Sequence, residues 1–330
     1  MYDYDSVIGN DKIIKSLKLA VDNNRVNHAY IFDGPKGSGK HLMANTFAKT
    51  LNCERGEDSP CGECISCQTF ESGNNPDIIY VRRKEGDREI KVDTVRNVIN
   101  KNIEVKPYRN RYKVFIIEDA DTMNTAAQNA FLKTLEEPPG YAVFLLLAEN
   151  YNKLLVTVLS RCQRFKMQSI PAPVIKDYLT LNKGIGAENA QPAALYSQGS
   201  IGKAIELSAS EEFNSLRKAV MDTTVKLLET DLIGMYELAA SVEEYKDSVD
   251  SFLDIMYLIY RDCLVYKQTG KNELLIQGGN IDVIRRICGI LDARRLIRGC
   301  ELIGDAAEAI RRRGDFQLVI EDLFFKLKEK

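Results

Sequence analysis

Eight residues, Gly34-Pro-Lys-Gly-Ser-Gly-Lys-His41, have the spacing of a phosphate-binding turn. Its glycines let successive backbone N–H groups point at phosphate oxygens, and a helix that follows adds the partial positive charge of its N-terminus. Lys40 would reach the β- and γ-phosphates. Gly34, Pro35, Lys36, Gly37, Ser38, Gly39, Lys40 and His41 therefore form a candidate nucleotide site. The pattern closes on a histidine where a serine or threonine hydroxyl helps hold Mg2+. An imidazole is a poorer partner for that hard, oxygen-seeking cation. The loop reads as a phosphate cradle with its metal ligand replaced, and whether it binds ATP and Mg2+ stays open.

Two further constellations could do chemistry. The run 113–119 places four apolar residues before Glu118 and Asp119. In a working ATPase such a strand ends in Asp then Glu, one serving the metal and the other the attacking water. The reversed order displaces each carboxyl by about one methylene, a distance that matters in catalysis. Cys53, Cys61, Cys64 and Cys67 follow the spacing C-x7-C-x2-C-x2-C. Four thiolates can surround one Zn2+ tetrahedrally, and the short turns aim them at a common point. With every position filled by sulfur, the site is structural rather than catalytic; four free thiols are the alternative.

The elements that must position these groups follow from periodicity. Ile13, Ile14, Leu17 and Val21 mark an amphipathic helix over 11–24. Apolar runs at 29–33, 77–81, 113–119 and 143–148 read as strands, the fourth of them central, and 163–167 reads as a further short strand. Helices are expected over 42–51, 92–102, 125–137 and 154–159, the third stopped by Pro138-Pro-Gly140. Residues 82–91 read as a charged surface hairpin or loop. The connector 106–113 is basic and carries Tyr108 and Tyr112; DNA phosphates or plain solvent would both suit it. His28, before the first strand, and Arg311-Arg-Arg313 are read as structural and solvated respectively. Pro171 and Pro173 mark a boundary, and beyond 174 only helices are expected. There Phe252, Met256, Ile259 and Cys263 form one apolar stripe, and Ile281, Ile284, Cys288 and Leu291 another, with Gly278-Gly-Asn280 as the turn between.

The expected fold is thus an α/β P-loop domain with a parallel sheet over 1–170, carrying a cysteine module at 53–67. A small helical unit over 171–208 and an all-α domain over 209–330 follow. At 330 residues and 45% hydrophobic content the chain has room for several cores. A net charge of −2 gives no global field for nucleic acid. No apolar run nears the roughly 20 residues of a membrane span, and the first residues lack the features of a signal peptide. The cytoplasm is the expected compartment, where cysteines serve metals or stay free.

Several stretches together resemble the bacterial clamp-loader family of the AAA+ class. They are His28-Ala-Tyr-Ile-Phe-Asp-Gly-Pro-Lys-Gly-Ser-Gly-Lys40, the four-cysteine module, Phe131-Leu-Lys-Thr-Leu-Glu-Glu-Pro-Pro139 and Ser160-Arg-Cys162. The resemblance implies a lid for 171–208 and an oligomerising collar for 209–330. It implies gamma/tau and delta subunits, the beta sliding clamp and primer-template DNA as partners in the DNA polymerase III holoenzyme. Within the family the residues resemble the delta-prime branch more than the ATP-hydrolysing gamma/tau motor. Motor subunits end the loop in Lys-Thr, read Asp-Glu at 118–119, carry a sensor threonine near Ala148-Glu149, and place a sensor arginine where Gly202 stands, beside Lys203. Arg161 is implied to be an arginine finger reaching a neighbouring subunit's ATP. An active motor, and a zinc-bearing nucleic-acid module with an architectural P-loop, are the two other readings.

Overall fold

The computed structural model describes residues 2–84, 86–277 and 281–329. The expected turn at Gly278–Asn280 lies outside them. The chain divides into two units, Met1–Ile170 with Gly199–Lys203, and Pro171–Gln198 with Ala204–Lys330.

The first unit begins with α1, Asp11–Asp22, then β1, Ala29–Asp33, and α2, Lys40–Leu51. The P-loop helix starts at Lys40, two residues earlier than its apolar spacing indicates, because the turn itself closes the first helical hydrogen bonds. Helix α3, Ile65–Glu71, and β2, Ile78–Val81, follow. Helix α4 spans 92–103, and its middle, Val95–Asn100, is wound as a π-helix. Then come β3, Lys113–Ile117; α5, Thr125–Glu136; β4, Ala142–Ala148; α6, Val156–Leu159; and β5, Gln163–Lys166. Helix α6 begins later than expected: Tyr151–Lys153 form a separate 3-10 turn before it.

All strands pair in parallel in the order β2-β3-β4-β1-β5, which puts the most apolar strand, β4, in the centre. Alternate strand residues face opposite layers. Ile31, Phe115, Phe144 and Leu146 pack with residues of α4 and α5, such as Ile99 and Phe131. Tyr30, Phe32, Ile116 and Leu145 pack with α1 and α2 through Leu17, Met43 and Phe47. Both faces are covered over the inner strands, which read as apolar runs, whereas edge strand β5, Gln163-Arg-Phe-Lys166, alternates half-buried and exposed residues.

The second unit is helical throughout its described residues. It contains α7, Ala172–Lys183; α8, Ala187–Tyr196; most of α9, Ile201–Ala209; α10, Glu211–Glu229; and α11, Leu232–Ser241. These are followed by α12, Val249–Thr269; α13, Ile281–Ile290; α14, Ala293–Arg311; and α15, Phe316–Lys328. Phe252, Met256, Ile259 and Cys263 are fully buried on α12, and Ile284 and Leu291 join the same core, with Ile281 and Cys288 half-buried against it. Buried Arg217 donates through Nε and Nη2 to Gln277 Oε1. Gln277 donates from its backbone to Asp262 and from its amide to Tyr196, so these four residues are linked in one buried polar network.

Candidate functional site

The glycine-rich turn leaves the carboxyl end of β1, where parallel α/β sheets place their ligands. Gly37 and Gly39 take positive φ of 76° and 87°, which glycine adopts without a Cβ penalty. Ser38 Oγ is buried inside the loop without a hydrogen-bond partner, and a phosphate oxygen would satisfy it. The cradle therefore fits a phosphate chain. Lys40 is turned into its own loop, donating to Gly34 O at 3.0 Å and Pro35 O at 3.2 Å, with Glu149 at 3.9 Å. Burial lowers the pKa of its ammonium, against the pull of Glu149. Glu149 is set by Asp121, which accepts the N–H groups of Glu149 and Asn150. Pro35 and Lys36 are exposed, and Lys36 O accepts from Ser200 Oγ at 2.9 Å. Gly37 O accepts from Gly202 N–H, also at 2.9 Å.

Glu118 and Asp119 sit just past β3, with Asp119 at φ 49°. Neither is open. Arg82 forks onto Glu118, Nε and Nη2 each 2.8 Å from one carboxylate oxygen. Arg83 Nη2 donates to Asp119 Oδ2 at 2.8 Å. His41 Nδ1 lies 3.9 Å from Glu118 Oε1. These residues do not fit Mg2+, which needs an octahedron of oxygens. An imidazole, His41, stands where a hydroxyl ligand would be, and guanidinium groups engage both oxygens of Glu118 and one of Asp119. In the sequence alone, Arg82 and Arg83 read as part of a charged surface hairpin or loop. The signal was present: Val81 pairs with Ile117, so the next residues of two parallel strands, Arg82 and Glu118, emerge side by side.

The four cysteines do come together. Their sulfurs all lie within 4.8 Å of one another. Tetrahedral Zn–S bonds imply S–S separations of about 3.8 Å, close to the 4.0 Å between Cys61 and Cys67. Cys53 follows α2, and Cys64 caps α3, its sulfur accepting from Cys67 N–H. Cys61 N–H points at Cys53 Sγ, and Cys64 N–H at Cys61 Sγ, both at 3.4 Å. Burial opposes ionisation of Cys61, but N–H groups from Cys64 and Glu63 outweigh it and bring its pKa down to about 6. Burial raises those of Cys53 and Cys67. Four sulfurs gathered this closely are a fitting donor set for one divalent cation.

Arg161 lies beyond α6, half-exposed. It donates to Thr157 O and Glu136 Oε1, each at 2.9 Å, and to Ser160 Oγ at 3.3 Å. Its neighbour Cys162 packs inward against the core, and burial pushes that thiol up to about 12. His28 contributes its carbonyl to β4. The connector 106–113 is pinned by buried Asp77, which accepts the N–H groups of Tyr108, Arg109 and Asn110. Arg109 pairs with Glu54, and Arg311 and Arg312 pair with Asp250 and Glu308 at an exposed helix end.

A parallel sheet of this order, with a glycine turn after β1 and carboxylates after β3, defines a P-loop domain of the AAA+ class. Residues 9–171 match the family described as DNA polymerase III, delta subunit. The chain is 39% identical over 177 residues to the Haemophilus influenzae DNA polymerase III subunit tau/gamma, covering 53% of this chain and 25% of that one. It is 29% identical over 270 residues to the Bacillus subtilis subunit delta', covering 81% and 80%. A Thermotoga maritima gamma subunit-related structure aligns over 96% of this chain and 98% of that one, with 16% identity and a TM-score of 0.43. The first half of the chain is thus related to DNA polymerase III subunits of both the tau/gamma and the delta' kind. The chain spans 25% to 36% of the length of the tau relatives, and four fifths of the delta' relative. Among the described residues no helix is long and apolar enough to cross a membrane.

Proposed function

We propose that this chain is a delta-prime-type clamp-loader subunit that assists ATP hydrolysis in a neighbour and performs none itself. The observation that carries this reading is the occupation of both acidic groups, Glu118 by Arg82 and Asp119 by Arg83. Glu118 in its guanidinium fork, and Asp119 with one oxygen on Arg83, are poorly placed to ligate a metal or orient water. Arg161 then acts outward, stabilising charge on the phosphoryl group transferred at an adjacent gamma/tau subunit. The cysteine module holds one structural Zn2+ and stiffens the unit that presents Arg161. Residues 171–208 serve as lid and 209–330 as collar, joining gamma/tau and delta subunits around the beta clamp and primer-template DNA in the cytoplasm. Contacts to DNA would be to the backbone rather than to bases.

The test is ATP turnover by the pure chain, then by a mixture with gamma/tau, delta, clamp and primed DNA. Silence alone, with turnover of the mixture damaged by Arg161→Ala, is the expected result. A second reading, an ATP-hydrolysing gamma/tau-type motor, is favoured by the higher identity to tau/gamma, 39% against 29%. It requires turnover by the chain alone that Lys40→Ala abolishes.

A further inference from the structure

We infer that Arg82 and Arg83 replace the divalent cation of this site, so that a nucleoside di- or triphosphate held by the Gly34–Lys40 loop is held without metal. Two guanidinium groups bring the same double positive charge that a magnesium ion would bring, and bring it to the same two carboxylates. The geometry is built in rather than incidental. Parallel register delivers Arg82 beside Glu118 from the ends of β2 and β3. The Arg82 guanidinium lies 4.8 Å from the Tyr80 ring centroid, in cation–π contact. Tyr80 OH donates to Asn45 Oδ1 at 2.5 Å, and Asn45 Nδ2 donates to His41 O at 2.7 Å. The arginine is thus tied through Tyr80 and Asn45 to the first turn of α2, the turn that meets the phosphates. The fork with Glu118 uses two of its five N–H donors. The remainder can serve phosphate oxygens, for which a planar guanidinium is well shaped.

The same arrangement explains the histidine at position 41. Once arginine supplies the charge, no hydroxyl is needed to hold a metal, and an imidazole beside Glu118 is tolerated. The Arg82 side chain is 61% exposed, so the pair adds little to folding. Its removal should leave the fold intact and change only what the site binds.

The inference rests in part on the non-hydrolysing reading, and the experiment separates the two. ADP and ATP binding to the full chain is measured calorimetrically in excess EDTA and in excess Mg2+, with turnover assayed on the same preparation. The expected result is binding of equal strength in both buffers. In Arg82→Ala/Arg83→Ala, binding in EDTA should weaken about tenfold and become magnesium-dependent. Arg82→Gln, which keeps the packing on Tyr80, should shift the same way, and melting curves check that both variants fold. Tenfold tightening of the unmodified chain by Mg2+, or no binding in either buffer, overturns the inference. If magnesium tightens binding without turnover, this inference alone fails; magnesium-dependent turnover removes the non-hydrolysing reading as well.

Discussion

Glu136 Oε1 holds the Arg161 guanidinium at 2.9 Å, joining the end of α5 to the turn after α6. The contact connects two of the most specific stretches of the sequence, Phe131–Pro139 and Ser160–Cys162. Cys162 is anchored in the core while Arg161, one residue away, is held at the surface by Glu136 and Thr157 O. The guanidinium is therefore pre-positioned rather than free to search. Arg161→Ala is expected to fold normally and to slow turnover of the reconstituted loader at least tenfold, since such fingers contribute about 10³ or more at their own site. Glu136→Gln should give a smaller loss, because the exposed pair orients the arginine without making it. Unchanged turnover with Arg161→Ala would sink the finger.

The cysteine cluster predicts one Zn2+ per chain. Metal analysis of protein purified without added metal should return a ratio near one, and Cys64→Ser should lose the ion and melt at lower temperature. Cys64 is the informative position because its sulfur also caps α3. A chelator should lower the melting temperature of the unmodified chain and leave that of the variant unmoved. Four titratable thiols without metal would refute the site.

Much of the first unit was legible in the sequence. Five expected strands became five parallel strands, the inner ones easily read because strands covered on both faces must be apolar throughout. The four cysteines met as their spacing required. Strand ends and partner choice were harder to read. Nothing local tells Arg82 that Glu118 will be its neighbour; only the register of β2 on β3 does. The inward turn of Lys40 was equally hidden, since its partners Gly34 O and Pro35 O are backbone atoms, which no residue pattern encodes. The π-turn in α4 was read as ordinary helix, because periodicity over a dozen residues hardly separates the two.

Lys49 predicts a pH dependence. Its side chain is 1% exposed and its ammonium lies 2.6 Å from Glu71 Oε1, which also accepts Tyr2 N–H. Burial alone would raise the Glu71 carboxyl, but the Lys49 hydrogen bond and Tyr2 N–H outweigh it and hold it below its ordinary value. A carboxyl depressed in the folded state stabilises above its unfolded pKa, and that stability is lost as pH falls through the folded one. Glu71→Gln should therefore destabilise by about 2 kcal/mol at neutral pH, between an exposed and a fully buried pair. The gap to the unmodified chain should close below about pH 4. Denaturant melts across that range measure it, and a gap independent of pH would show that the ion pair is not the cause.

Gly202 predicts that the missing sensor arginine cannot simply be put back. A Cβ at this position would stand 2.7 Å from Gly37 Cα and 3.1 Å from Gly37 O, both backbone atoms of the phosphate loop. A Cβ at Gly37 would in turn meet Ser200 Oγ and Lys203 N. The two glycines let these segments touch, and Gly202 N–H seals the contact on Gly37 O. Backbone cannot rotate away as a side-chain tip can, so the strain must move the segment or the loop. Gly202→Arg is expected to lower the melting temperature and to confer no ATP turnover on the isolated chain. Gly202→Ala should destabilise in the same direction, because the clash begins at Cβ and owes nothing to the guanidinium. If the alanine variant were as stable as the parent while the arginine variant hydrolysed ATP, the glycine would be a lost sensor rather than a packing requirement.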